Sequence, residues 1–150
     1  RATCAEVAAV VAPPPLEKDP KAVAAVAATR AAIDDLANDP EPHYGISTGF
    51  GALATQFIPL DMRVQLQKSL VRSHAAGMGA PVEREVVRAL MLLRLKTLAS
   101  GRTGARPVVA ETMAAILNAG ITPFVHEFGS LGCSGDLAPL AHCALVIMGE

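Results

Sequence analysis

Proline and glycine cut this chain into helix-length pieces, and that punctuation limits what it can fold into more than any other feature. Asp19 and Pro20 precede a segment whose apolar positions Val23, Val26, Ile33 and Leu36 recur at helical spacing, and Pro40 stops it, which predicts a helix over residues 20–38. Asp61 is expected to cap a second helix, on which Leu66, Leu70 and His74 follow at four-residue intervals and share one face. Pro81 opens a third, with Glu83 and Glu85 in its first turn and Gly101 past its end. Its Val86, Val87, Leu90, Met91, Leu92, Leu93 and Leu95 cover more than one face, so burial on most sides is expected. Pro107 starts a fourth, in which Val109, Met113, Ile116 and Leu117 form one stripe before Asn118 and Gly120 end it. A fifth runs from about Leu137 to Met148 with Leu137, Leu140, Ala141, Leu145 and Met148 on one side. No strand-like alternation of useful length interrupts the series, so the class is all-α, with glycine-rich loops between helices.

Length and charge narrow the function. The 150 residues suit one domain, taken here as residues 1–150. A net charge of −1 without a dense Lys/Arg block argues against nucleic acid, and an aromatic content of 3% leaves no base-stacking platform. The apolar run at residues 7–12 is too short to span a bilayer and follows Glu6, so neither a membrane segment nor a targeting signal is expected. Cys4, Cys133 and Cys143 form no CxxC pair, and their odd number points to a reduced, cytoplasmic setting. The spacing of His43, His126, His142 and Cys143 matches no usual metal-ligand pattern. His142 falls off the apolar stripe of the fifth helix and is expected to face solvent or to cap, and Arg94, Arg102 and Arg106 to be surface or interface charges. Since the chain opens on Arg1 in place of methionine, trimming, excision or processing is expected.

Two loops carry chemistry-bearing residues. Residues 41–59 hold Gly45, Gly49 and Gly51 between flanking prolines, a length uncommon for a connection without a function. A phosphate cradle fits poorly, since Gly49, Phe50 and Gly51 are followed by neither a third glycine nor Gly-Lys-Ser/Thr. Ahead of the fifth helix, the run Gly132, Cys133, Ser134, Gly135, Asp136 places a dehydratable serine beside a glycine whose nitrogen, free of a Cβ, can approach the carbonyl of Cys133. Closure of that five-membered ring with loss of water, and dehydration of Ser134, would expose a methylidene electrophile. Asp136 suits the helix cap, Pro139 the first turn, and the positive helix end would favour electron flow into the ring. The plain alternative is a glycine-rich connection ending in an Asp-capped helix.

That loop resembles the signature of the aromatic amino acid ammonia-lyases, in which an Ala-Ser-Gly tripeptide cyclises into a methylidene-imidazolone prosthetic group. Here Cys133 takes the place of the alanine. Residues 44–51, YGISTGFG, resemble the family's tyrosine loop, and residues 73–79, SHAAGMG, the histidine-selective version of its substrate-selecting segment. The similarity runs from about residue 44 to 150 and is weaker over residues 1–39. It implies the N-terminal helical part of a fumarase/aspartase-like bundle with long glycine-rich active-site loops. It further implies non-oxidative deamination of L-histidine to urocanate and ammonia, in a cytoplasmic homotetramer whose sites draw on several subunits, with no metal and no nucleotide. Cys133, Ser134 and Gly135 would form the electrophile, supported by Gly51 and Asp136. Tyr44 would take the proton, its phenol of ordinary pKa ~10 needing stabilisation as the anion. His74 would bind the substrate ring. The family's later asparagine, tyrosine, arginine and glutamate lie beyond residue 150, so the chain alone is expected to be inactive. Tyrosine ammonia-lyase or aminomutase activity, or a non-catalytic folding or assembly module, remain as alternatives.

Overall fold

The computed structural model describes residues 16–133 and 135–150; Ser134, Cys4 and the apolar run at residues 7–12 lie outside them. In chain order the elements are α1 (Pro20–Ala37), a 3-10 turn (Gly51–Leu53), α2 (Leu60–His74), β1 (Met78–Pro81), α3 (Arg84–Ala99), α4 (Pro107–Asn118), β2 (His126–Phe128) and α5 (Leu137–Met148). The all-α class holds, with one short ribbon added. In it β1 pairs antiparallel with β2, Met78 opposite Phe128 and Pro81 opposite His126, with an irregularity between.

Three helix starts depart from the residues the punctuation suggested. α1 begins as expected, the Asp19 carboxylate accepting from the Lys21 amide at 2.9 Å. α2 starts one residue before Asp61, with Pro59 at the cap, and Asp61 instead contributes charge to the first turn. Pro81 ends β1 and starts no helix; α3 opens three residues later, after Glu83. The Asp136 side chain makes no capping bond to α5, for a reason that becomes clear at the site.

The core forms where α3 and α4 cross, from Val87, Met91 and Leu98 of α3, Met113, Ile116 and Leu117 of α4, then Val125 and Cys143. α3 is not buried all round: Val86 and Leu93, seven residues apart, stay largely exposed on its outer face. On α5 the buried residues are Pro139, Ala141 and Cys143, with Val146 and Ile147 against the core; Ala141 of the expected stripe is buried, whereas Leu137 at its start is exposed.

Two arginines one turn apart on α3 hold the end of α4. Arg88, buried, donates to the Leu117 carbonyl at 3.0 Å, and Arg84 donates to the Gly120 carbonyl at 3.1 Å and to Thr122 Oγ1. They face a helix end closed by the Gly120 amide on Leu117 and the Ile121 amide on Ile116, with Gly120 at φ +72°. α1 lies across the α3–α4 connection, where a Cβ at Gly101 would stand 2.7 Å from Ala25 Cβ.

Candidate active site

The tyrosine loop is built on two buried hydroxyls. Ser47 Oγ accepts from the His43 amide at 2.8 Å, and Thr48 Oγ1 accepts from the Gly45 amide at 3.2 Å and donates to the Gly49 carbonyl at 3.1 Å. A bridge between Thr48 and Phe57 closes the base, with the Ile58 amide on Ser47 O and the Gly49 amide on Gln56 O. Because the loop satisfies its own main chain, it can hold Tyr44 outward, 64% exposed. The Tyr44 ring meets Phe50 edge-on at 5.9 Å, and its hydroxyl oxygen accepts a long bond, 3.4 Å, from the Gly51 amide. Gly51 can present that amide because it sits at φ +56° with nothing within 4 Å of a would-be Cβ.

His74 is the last residue of α2, half-buried on the face it shares with Leu66 and Leu70. Its Nδ1 lies 2.8 Å from the Leu70 carbonyl and 3.0 Å from Ser73 Oγ. A carbonyl only accepts, so Nδ1 carries the proton, and in the corresponding neutral tautomer Nε2 is the acceptor. Directly after it, Ala75 (φ −76°, ψ 59°) makes a γ-turn, the Ala76 amide bonding His74 O at 2.8 Å, and swings the chain into β1.

Around residues 129–136 the Asp136 carboxylate turns back into its own loop, accepting from the Leu131 amide at 2.9 Å and from Ser130 Oγ. This is why it does not cap α5, and the positive helix end is left without a side-chain cap beside residues 133–135. Cys133 is exposed, Gly132 is at φ +65°, and nothing lies within 4 Å of where a Cβ on Gly135 would stand.

Of the three motifs, the structure brings two together. A Cβ at Gly129 would lie 3.1 Å from Ala138 Cβ and 3.2 Å from Gly77 Cα, so the segment after His74, the loop before α5 and the first turn of α5 meet where both chains lack side chains. The hydrogen-bond and ring partners of Tyr44 lie within its own loop. That loop is tied to α1 and α2 by Arg63, which donates to the Ala37 carbonyl at 2.6 Å and the Ile58 carbonyl at 3.0 Å. A cleft of about 190 Å³ between α1, α3 and α4, lined by Val23, Val26, Leu95 and Ala110, contains none of the candidate residues.

Sequence reasoning missed three participants, Gly129, His126 and His142. Gly77 and Gly129 matter through close backbone approach, a property of the packed pair. His126 and His142 sit on the junction, their rings 5.3 Å apart. His142 is half-buried and bonds no helix end: its Nε2 accepts from the Gly77 amide at 3.0 Å. Burial, then the nearby His126, hold its pKa below the ordinary histidine value. Burial likewise pushes the Cys143 thiol up to about 11, as expected of a core thiol with no base beside it. Among the described residues, no group of three or more His, Cys, Asp or Glu could hold a metal ion, and no helix is long and apolar enough to cross a membrane.

Comparison with known proteins identifies the family. The family model for aromatic amino acid lyases matches residues 2–150. Histidine ammonia-lyase of Streptomyces avermitilis is 70% identical over 135 residues, covering 90% of this chain and 26% of the relative. The Treponema denticola histidine ammonia-lyase is 52% identical over 118 residues, covering 79% and 23%. Among solved structures, the tyrosine aminomutase of Streptomyces globisporus superposes with a TM-score of 0.91 at 36% identity, over 99% of this chain and 28% of that one. Histidine ammonia-lyase from Trypanosoma cruzi gives 0.84 at 36% identity, over 96% and 27%. The chain thus spans about a quarter of the length of the relatives it matches, and within that span it belongs to the aromatic amino acid lyase family.

Proposed function

We propose that this chain carries the electrophile-forming and substrate-selecting portion of an enzyme that eliminates ammonia from L-histidine to give urocanate. The observation that carries this reading is the 70% identity to a histidine ammonia-lyase across 90% of the chain, which includes all three motifs. Cys133, Ser134 and Gly135 would hold the methylidene-imidazolone, which when formed supplies an electrophilic carbon that accepts electrons from the substrate. The remaining work falls to ordinary side chains. His74, its proton fixed on Nδ1 by Leu70 O, offers Nε2 to an N–H of the substrate imidazole and so sets the ring's orientation. Tyr44 takes the weakly acidic hydrogen beside the imidazole, and the Gly51 N–H is placed to share the charge that develops on the phenol oxygen. Asp136 holds the loop in its turn through Ser130 and Leu131.

The exposed position of Tyr44 supports a site completed by other parts of a homotetramer, as do Val86 and Leu93 uncovered on α3. The reading places the assembled enzyme in the cytoplasm. A tyrosine-specific lyase or aminomutase is the second reading, favoured by the 0.91 superposition on tyrosine aminomutase. Peptide mass spectrometry of the intact enzyme tests the first step: the fragment spanning residues 133–135 should lack two waters. Turnover assays test the substrate: urocanate and ammonia should form from histidine, and activity on tyrosine alone would transfer the assignment to the second reading. An unmodified peptide with no turnover would favour a non-catalytic assembly module.

A further inference from the structure

The junction between the His74 segment and α5 is held by two histidines that bracket one stretch of backbone. From α5, His142 Nε2 accepts from the Gly77 amide at 3.0 Å. From β2, His126 Nδ1 lies 2.9 Å from the Gly79 carbonyl and must be the donor there. Residues 77 to 79 are thus gripped at an N–H by one ring and at a C=O by the other. The fit is close: a Cβ on Gly77 would stand 2.8 Å from His142 Nε2 and 3.0 Å from His126 Cβ. Gly77 follows His74 by three residues and α5 follows residues 133–135 directly, so one bond spans the two motifs that the fold brings together.

We propose that His142 is a positioning residue that sets where His74 stands relative to residues 133–135, through a neutral imidazole accepting the Gly77 amide. The role in substrate placement rests on the function proposed above; the bond itself does not. An accepting Nε2 requires the proton on Nδ1, and protonation of Nε2 removes the lone pair and sets a positive charge beside the His126 ring, 5.3 Å away. The titratable groups on surrounding elements are His126 and Glu127 of β2, Asp61, Arg63, Lys68, Arg72 and His74 of α2, Glu111 of α4 and Glu150 after α5. Arg72 is paired with Glu150, Glu111 with Lys18, and Glu127 accepts from the Ala80 amide. Burial, then the neighbouring His126, hold the pKa of His142 below the ordinary histidine value. The sign follows: the bond is complete above the ordinary histidine range and is lost as pH falls through the depressed folded value.

Amide hydrogen exchange on the intact protein, wild type against His142→Phe and His142→Gln, tests this. In wild type the Gly77 amide should be protected at pH 8 and lose that protection, beyond the intrinsic pH dependence of exchange, as His142 protonates. The phenylalanine variant should exchange Gly77 roughly five- to tenfold faster at pH 8, the worth of one neutral hydrogen bond. Gln carries a non-titrating acceptor, so it should restore protection and flatten its pH dependence. The Val82 amide, bonded to Val125 O at 2.8 Å just beyond the end of the ribbon, is the reference and should not move. Unchanged Gly77 exchange in the phenylalanine variant, no rescue by Gln, or equal loss at Val82 would each overturn the proposal, the last because it marks a general scaffold role. In turnover the phenylalanine variant should raise KM for histidine several-fold with kcat within about twofold, and Gln should reverse it. Exchange effects as described in an enzyme that ignores histidine would sink the substrate assignment and leave the bond standing.

Discussion

Replacing Gly129 by alanine tests whether close backbone approach is what joins the two halves of the site. The position has φ +144°, which L-residues rarely adopt, and strain of this kind costs about 1–3 kcal/mol. The new methyl would also stand 3.1 Å from Ala138 Cβ and 3.2 Å from Gly77 Cα, so the first turn of α5 or the Gly77 backbone must give way. Overpacking adds typically about 1–3 kcal/mol, for a total of about 2–6 kcal/mol. Gly132 is the control, because it too has positive φ, +65°, but nothing lies within 4 Å of its Cβ direction. Gly132→Ala should therefore cost only the left-handed conformation, about 1 kcal/mol. The expected difference of about 2 kcal/mol is roughly thirtyfold in the folding equilibrium. Urea unfolding followed by circular dichroism, with equal m-values in both variants, measures it. If Gly129→Ala proves no more destabilising than Gly132→Ala, the close approach is not a structural constraint and the reasoning fails.

Other outcomes follow from the same geometry. Tyr44→Phe should leave the unfolding midpoint unchanged, since the ring is mostly exposed, while lowering kcat of the intact enzyme by about 10²–10⁴ as expected for loss of a general base. His74→Leu should lower kcat/KM for histidine by about 10–100-fold, the worth of one to two hydrogen bonds to the substrate ring, and should be read against tyrosine in parallel assays. Asp136→Ala frees the Leu131 amide and Ser130 hydroxyl, so the loop should lose about 1–2 kcal/mol in urea titration and the two-water mass loss should form more slowly. Brief iodoacetamide treatment at pH 8 should label exposed Cys133 in the native protein, while Cys143, buried with its thiol pushed up to about 11, should label only on unfolding; peptide mass spectrometry reads both.

The sequence was most legible where a single residue decides a local conformation. Asp19 with Pro20, Pro107 and Gly120 mark helix ends because a missing N–H, a fixed φ or a left-handed glycine acts within one turn. It was less legible where a polar side chain had a choice of partners. Asp136 stands where a cap belongs and bonds Leu131 and Ser130 instead, and Pro81 stands where a helix could begin and closes a strand. The ribbon was hidden because Met-Gly-Ala-Pro and His-Glu-Phe have neither the length nor the alternation of a strand. His74, Tyr44 and the residues around Ser134 were recognisable as motifs. The grip of His126 and His142 on Gly77 and Gly79 was not, because it joins positions 47 and 65 residues apart through backbone groups that every residue possesses.

Ser47 and Thr48 give the segment bearing Tyr44 a practical independence. Its base is knotted by its own hydroxyls and by the Thr48–Phe57 bridge, so what the tip displays can change without renegotiating the foundations. A segment built this way behaves as an interchangeable tool on a fixed handle. Evolution or an engineer can retune reactivity at the tip while the helices beneath keep their places.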